Sequence, residues 1–468
     1  MDKRLMQFYD LLPAGFQNLM VTAFSIKLNR ERYKGRFEEF RSLMRQMESA
    51  PRQDALAYQD RKLAVLIEHA YNTVPYYRDV FDKRGLKPAD IQSRADLVKL
   101  PVLTKKIVKA NYESLRSRVI PIKKLREGHT SGTTGTPLRL LYDSDVITMA
   151  YAALDRHYRW AGVRLHRLGD RIAVLRGNMI VPLKKRTPPF WRFNWFHNQM
   201  LLSSFHLTAG NLEEYFNAIS NFKARVLDGY PSSAYVLARL LLNQNRRIAL
   251  DAVITSSETL YDYQREVIEE AFQCRVFDYY AAAERVVFAS ECRAHKGRHL
   301  FPEYGITEIT ENDGSPVAPG RFGNLTGTSL HNYAMPMIRY ITGDRTAIKT
   351  KYCKCGCTFP LIEEVTTKAE DIIRLPDGRL ISPSVLTHPF KPLSSINGSQ
   401  LVQTDADHLL VRLIPGDDFK PAHAQQLVGD LRARLGDDMR VDVEYIEELP
   451  RTDSGKFKWV VSHVDPGI

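Results

Sequence analysis

The sequence predicts an α/β fold, with a large N-terminal domain of layered sheets and helices and a small α/β cap at the C-terminus. Three observations carry that expectation. From about residue 130 to 350, short apolar strand-like runs alternate with amphipathic helical ones, the pattern of sheets covered by helices. The first hundred residues read as mainly helical, and after about residue 368 the chain turns to strand-sized pieces around one charged helix. We expect residues 1–120 to form a helical segment of the large domain, 121–368 its core and 369–468 the cap. A chain of 468 residues is long enough to bury a sizeable core in two or three domains.

The elements follow in order. Leu11 to Ile26 carries no charge, but it is shorter than the ~20 residues that span a bilayer and contains Pro13, Gly15, Gln17 and Asn18. Asp2 and Asp10 flank it and no clear small-residue cleavage site follows, so a signal peptide is not expected. Two readings stay open for it. It is a helix packed on the body of the protein, or an interfacial helix on anionic lipid, helped by Lys27, Arg30, Arg32, Lys34 and Arg36. Residues 55–71 place Leu63, Leu66, Ile67 and Ala70 at helical spacing, and Pro75 breaks that helix. Pro101 and Pro121 punctuate the approach to a glycine-rich loop. Beyond it, residues 171–175, 225–227 and 252–255 read as buried strands, with a helix over 235–242 between two of them. Residues 323–328 and 337–340 look like later strands of a smaller β subdomain. In the cap, 422–435 reads as a helix and 441–445 as a strand.

A net charge of +12 asks for an acidic partner, such as nucleotide phosphates, CoA or anionic lipid. The basic residues are spread along the chain with no arginine-rich tail or aromatic-interleaved basic motif, so nucleic acid is not expected. Three of the five cysteines sit in Cys353-Lys-Cys-Gly-Cys357, a clustering that in an intracellular chain suits a metal better than disulfides.

Residues 130–137 read Thr-Ser-Gly-Thr-Thr-Gly-Thr-Pro. Glycines let the backbone turn and expose N–H groups to an anion, and the hydroxyls of Thr130, Ser131, Thr133 and Thr134 add donors. It is not a Walker loop. Taken alone it also reads as a solvated Ser/Thr/Gly loop. The octapeptide resembles the phosphate loop of the adenylate-forming superfamily, and four more segments follow in that family's order. Ser256-Ser-Glu-Thr259 sits where the family has a Gly-Glu pair by the adenine pocket. Tyr280-Ala-Ala-Ala-Glu284 is similar to Tyr-Gly-x-Thr-Glu, Arg339–Asp344 to Tyr-Arg-Thr-Gly-Asp, and Pro450–Lys456 to the C-terminal lysine motif. The resemblance implies ATP and Mg2+ as cofactors. Thr130, Ser131, Gly132, Thr133, Thr134 and Gly135 would lie along the phosphates, and Ser257, Glu258, Tyr280 and Ala281 around the adenine. Asp344 would take the ribose hydroxyls, Glu284 the magnesium, and Lys456 the charge that develops during adenylation.

Some positions depart from the family pattern. Ser257 replaces a glycine, and Ala281 and Ala283 replace the Gly and Thr of Tyr-Gly-x-Thr-Glu, removing a hydroxyl from the α-phosphate. Leu138 and Arg139 stand for Pro-Lys, and Glu370 is the nearest match to the hinge acid. Leu12-Pro, Gln17-Asn, Arg32-Tyr, Val74–Tyr77 and Leu100–Lys105 resemble the phenylacetate-CoA ligase-like branch and its CapK group, associated with capsular polysaccharide. That branch implies a structural zinc on Cys292, His299, Cys353 and Cys355, with His295 as a substitute ligand. The implied enzyme is a cytoplasmic AMP-forming carboxylate ligase that activates a small carboxylic acid and transfers the acyl group, foremost to CoA. An amine or hydroxyl of a polysaccharide precursor is the alternative acceptor, and a silent ATP-binding partner the alternative role. Peripheral membrane association through the N-terminal segment is compatible with both.

Overall fold

A computed structural model describes residues 3–130, 138–165, 169–365, 371–381, 383–393, 395–450 and 458–465. Ser131 to Gly135 of the glycine loop, Glu370 and Lys456 lie outside the described residues.

The N-terminal segment is helical: α1 (Lys3–Leu11), α2 (Ala14–Arg32), α3 (Phe37–Glu48), α4 (Arg52–Thr73) and α5 (Pro75–Arg84). Pro75 acts twice. Val74 before it is extended, as a residue preceding proline must be, which ends α4, and the proline then opens α5 in its first turn. Thr104 Oγ1 accepts the Ile107 N–H and caps α6 (Lys105–Ala110). An antiparallel hairpin of β1 (Arg126–His129) and β2 (Arg139–Tyr142) brackets the glycine loop, and α7 (Ser144–Trp160) follows.

The large sheet is then built from β3 (Ile172–Leu175), β4 (Trp191–Asn194), β5 (Gln199–Leu202), β6 (Val226–Gly229), β7 (Ala252–Ser256), β8 (Val276–Ala281), β9 (Phe288–Glu291) and β10 (Arg298–Leu300). Helices α8 (Leu212–Phe222), α9 (Pro231–Asn243) and α10 (Asp262–Phe272) connect its middle strands. After β11 (Gly305–Thr310), β12 (Gly323–Ser329) and β13 (Tyr340–Thr346), which form a three-stranded antiparallel sheet, β14 (Leu361–Ile362) returns to the large one. Its order is β14-β10-β9-β8-β7-β6-β3-β5-β4, with β5, β3, β6, β7 and β8 parallel and antiparallel strands on both sides of them. Strands β3, β6 and β7 are buried along their whole length, which is why they begin as apolar runs; the polar Asp228 of β6 and Thr255 and Ser256 of β7 come at their carboxyl ends.

The strand expected over 337–340 starts only at Tyr340. Arg339 has φ +54°, so the extended run breaks there. Its buried guanidinium bonds Glu308 Oε1 at 2.9 Å, Leu100 O at 2.7 Å and Gly314 O at 2.6 Å.

In the C-terminal part, β15 (Ile373–Arg374) pairs with β16 (Leu380–Ile381), and α11 (Pro383–Leu386) follows. Strands β17 (Ile396–Asp405), β18 (His408–Pro415), β19 (Arg440–Tyr445) and β20 (Val460–Ser462) form a sheet in the order β19-β18-β17-β20. Helix α12 (Pro421–Leu435) packs Leu427 and Leu431 into an apolar cluster with Trp459 and Phe390. Phe205 of the large domain belongs to the same cluster, and a Cβ on Gly177 would collide with the Val385 side chain, so the two parts touch closely.

One apolar cluster runs from Phe37 to Leu115 and includes residues from 138–153 and 282–365, so α3, α4 and α5 share a core with those later residues. Arg156 on α7 sits inside it, fully buried. Its guanidinium bonds Glu303 Oε1 at 2.6 Å, Glu48 Oε1 at 3.1 Å and the carbonyl of Met44, and lies 4.6 Å from the Phe301 ring centroid. Removing one partner of such a pair strands a charge out of water. Arg156→Ala is therefore expected to cost about 3–5 kcal/mol of unfolding free energy, read from the urea midpoint.

Candidate functional site

In open α/β sheets the crevice at the carboxyl ends of parallel strands is where ligands bind. Ser256 ends β7 there, and the β7–β8 register sets it opposite Tyr279. The glycine loop arrives from the hairpin. Thr130 closes its base reciprocally, donating its N–H to Leu138 O at 3.0 Å while its Oγ1 accepts the Leu138 N–H at 3.0 Å.

Three tyrosine hydroxyls then join segments far apart in sequence. Tyr142 Oη, at the end of β2, donates to Ala283 O at 2.6 Å. Tyr280 Oη donates to Asp344 Oδ2 at 2.7 Å, and Tyr340 Oη to Glu284 Oε1 at 2.8 Å. The hairpin of the glycine loop and the 280–284 and 339–344 segments thus meet in one place. Tyr280 is held well above the usual phenol range, by burial first and then by the Asp344 charge, so it remains a donor. Glu284 is buried, and that burial raises its carboxyl above the ordinary range, against the pull of Lys105 and the Tyr340 hydroxyl. Ala281 is exposed at the crevice.

Ser257 has φ +74°, the left-handed backbone that costs a residue with a Cβ about 1–2 kcal/mol. A glycine would adopt this conformation without that cost. Glu258 accepts the Ser232 N–H at 3.0 Å in the first turn of α9, so its carboxylate sits at a helix N-terminus and ties the 256–259 loop to Tyr230–Ser232.

Two groups escaped the sequence reading. Lys105 stood only as part of a branch mark. The structure pairs Leu103 with Tyr340, through Leu103 N–H to Arg339 O at 2.9 Å and Ile341 N–H to Leu103 O at 3.0 Å, which brings the Lys105 charge to bear on Glu284. Arg176, just after β3, bonds Ser256 Oγ at 3.2 Å and Asp228 Oδ1 at 2.5 Å and lies 5.5 Å from the Tyr230 ring centroid. Nothing in the sequence distinguishes an arginine and an aspartate fifty residues apart. The crevice therefore has an ion pair beside Tyr230 and Ser256.

On the large sheet's other flank, the ligand atoms of Cys292, His299, Cys353 and Cys355 all lie within 4.8 Å of one another. Cys292 Sγ is 3.6 Å from Cys353 Sγ, and Cys355 Sγ is 3.3 Å from His299 Nε2. Zn–S bonds of about 2.3 Å make tetrahedral S–S edges of about 3.8 Å, close to that spacing. The Ala294 and Cys357 N–H groups each point at a ligand sulfur at 3.4 Å, and His299 Nδ1 lies 3.1 Å from Phe359 O, which leaves Nε2 for a metal. Burial and the adjacent thiols push Cys292 up to about 12, a cost that a cation relieves. His295, considered as a substitute ligand, is outside the group. Its Nδ1 lies 3.5 Å from Glu291 Oε2, with the ring against Phe277. Cys357 instead packs against the large apolar cluster.

Comparison with known proteins adds the following. Residues 373–463 match the family described as the CapK C-terminal domain. Protein CapK of Staphylococcus aureus is 24% identical over 461 residues, spanning 97% of this chain and 99% of that protein. Phenylacetate-coenzyme A ligase of Thermus thermophilus is 24% identical over 340 residues, 70% of this chain and 73% of the ligase. Among solved structures, 2-hydroxyisobutyryl-CoA ligase in complex with 2-HIB-AMP and CoA aligns with a TM-score of 0.58 at 20% identity, covering 89% of this chain and 92% of that one. That likeness shows the fold.

Two outcomes are expected. Because burial raises the folded-state pKa of Glu284 above its unfolded value, the folded state keeps a proton that the unfolded state has lost, and stability falls as pH rises through that window. Without magnesium, Glu284→Gln should melt above the unsubstituted protein at pH 7, with the gap closing below the ordinary carboxylate range. The second concerns the thiols: elemental analysis should find one zinc per chain, lost together with thermal stability in Cys292→Ser.

Proposed function

We propose that the chain belongs to the adenylate-forming superfamily, in the branch that holds CapK and the phenylacetate-CoA ligases, and that it activates a carboxylic acid with MgATP and passes the acyl group to CoA. It is an AMP-forming carboxylate ligase. The observation that carries the proposal is the junction of Tyr280 with Asp344 and Tyr340 with Glu284, beside the hairpin that Thr130 closes.

In the first step a carboxylate oxygen attacks the α-phosphorus, the bond from that phosphorus to the bridging oxygen breaks, and pyrophosphate leaves. The N–H groups and hydroxyls of residues 130–135 take the phosphates, and Asp344 accepts from the ribose diol beside Tyr280. Glu284 would hold Mg2+, which neutralises phosphate charge when bound. Lys456 stabilises the charge that grows on the departing pyrophosphate. In the second step the CoA sulfur, having lost its proton, attacks the acyl carbon, the C–O bond to AMP breaks, and AMP leaves. Such an enzyme works in the cytoplasm, where both ATP and CoA are found.

The Arg176–Asp228 pair beside Tyr230 supports an acid that carries hydrogen-bonding groups over a plain alkyl acid. The four Cys/His ligands would hold a structural zinc, because all four positions are filled by protein and none is left for a substrate.

The test is carboxylate-dependent ATP–pyrophosphate exchange over aryl, alkyl, hydroxy and amino acids. We expect exchange with one class, and a loss of about 10²–10³-fold in Lys456→Ala. ATP binding with no exchange for any acid would reassign the chain as a silent nucleotide-binding partner.

A further inference from the structure

Helix α2 is built the wrong way round for a helix that packs on a core. Its polar side chains face inward and serve the exposed edge of the large sheet at β4. Asn18 Oδ1 accepts the Phe193 N–H at 2.9 Å, Thr22 Oγ1 accepts the Trp195 N–H at 3.2 Å, and Asn194 Nδ2 donates to Ser25 Oγ at 2.9 Å. Gln17, almost wholly buried, donates through Nε2 to Tyr9 O at 2.8 Å and accepts from Arg192 Nε. An edge strand needs such partners for its backbone groups, so the polar face is fully accounted for.

What that leaves outside is apolar. Leu5, Phe8 and Leu11 of the α1 end, and Phe16, Leu19 and Phe24 of α2, are exposed, Leu11 at 84% and Phe16 at 59%. Trp195, whose backbone N–H is bonded to Thr22, is 55% exposed beside them. Single exposed apolar residues are ordinary, but a run of this size along one helix pair marks a contact surface. Its charge is one-sided. Lys27 and Arg30 on the last turns of α2, and Lys34 just beyond it, are exposed and form no ion pair among the described residues. Of the two acids on these helices, Glu31 is paired with Arg126 at 2.9 Å, which leaves Asp10. Among the described residues no helix is long and apolar enough to cross a membrane.

We propose that the α1–α2 face, with Trp195, docks the protein on an anionic lipid surface. Helix α2 lies in the plane of the headgroups, its aromatic and leucine side chains reach the acyl boundary, and the basic residues at its end meet lipid phosphate. Large aromatics beside unpaired lysine and arginine are the composition of an interfacial helix, and tryptophan favours the depth where one end of the ring is wet. The inference is independent of the ligase reading, since among the described residues none of these side chains is bonded to a crevice residue.

The test is co-sedimentation of the full chain with vesicles of phosphatidylcholine alone and with about one third phosphatidylglycerol, together with light scattering to read the oligomeric state. Binding to the anionic vesicles, weakened by salt, is expected. Leu19→Glu/Phe24→Glu should abolish it while ATP–pyrophosphate exchange and the melting curve stay unchanged, because the inward polar face is untouched. Lys27→Glu/Arg30→Glu should weaken it by at least about tenfold, given the contribution of each basic residue near an anionic surface. Failure of the folded protein to bind anionic vesicles even at low salt would overturn the proposal. So would a dimer that Leu19→Glu/Phe24→Glu converts to monomer, because the face would then be an interface between copies of this chain.

Discussion

Tyr340 Oη stands 2.8 Å from a Glu284 carboxylate that is almost wholly out of water, and much of the crevice is arranged around that contact. An ionised carboxylate in such a place needs donors and positive charge close by, or it takes up a proton. Tyr340 can reach it because Arg339 adopts a left-handed backbone and anchors its own guanidinium on Glu308, which starts β13 at the residue that must face Glu284. Leu103 pairs with the same tyrosine and carries Lys105 toward the carboxylate. Glu284, the proposed magnesium ligand, is thus approached by groups from two other parts of the chain, which are fixed to each other by backbone pairing.

The same economy recurs around it. Tyr142 ties the glycine-loop hairpin to Ala283, one residue from Glu284, and Tyr280 ties the end of β8 to Asp344. Phenolic hydroxyls suit this task because each phenol spans several ångströms of apolar wall and still ends in a donor. The proposed phosphate, metal and ribose subsites are therefore mechanically coupled. Lys456 belongs to the C-terminal part, which touches the large domain through Val385 against Gly177 and through the cluster that includes Phe205. In the proposed reaction a charge brought in by that part would act only when it is in place, which would give the two steps a way to be separated.

Much of this was legible in the sequence, for identifiable reasons. The middle strands β3, β6 and β7 could be read because buried parallel strands start as apolar runs, with polar residues only at their carboxyl ends. The cysteines could be read because ligands are chemically distinctive, although the choice between His295 and His299 needed the β10 pairing with β9 and β14 that turns His299 inward. The start of β13 was misplaced because no pattern in Met337–Tyr340 announces a left-handed arginine. Helix α2 stayed ambiguous because its polar residues face a sheet edge, so apolarity no longer marks the buried side. Arg176, Asp228 and Lys105 were invisible for a simpler reason. Their roles come from being brought together by the topology, and charge alone does not say where a residue will end up.

In the proposed reaction a carboxylate oxygen becomes bonded to the α-phosphorus of ATP. The measurement that tests it most directly is isotope transfer from an ¹⁸O-labelled carboxylic acid, chosen as the one that supports exchange, followed by mass spectrometry of the nucleotide and phosphate products. One ¹⁸O in AMP and none in pyrophosphate is expected. Label in inorganic phosphate accompanied by ADP, or AMP formed without label, would contradict it.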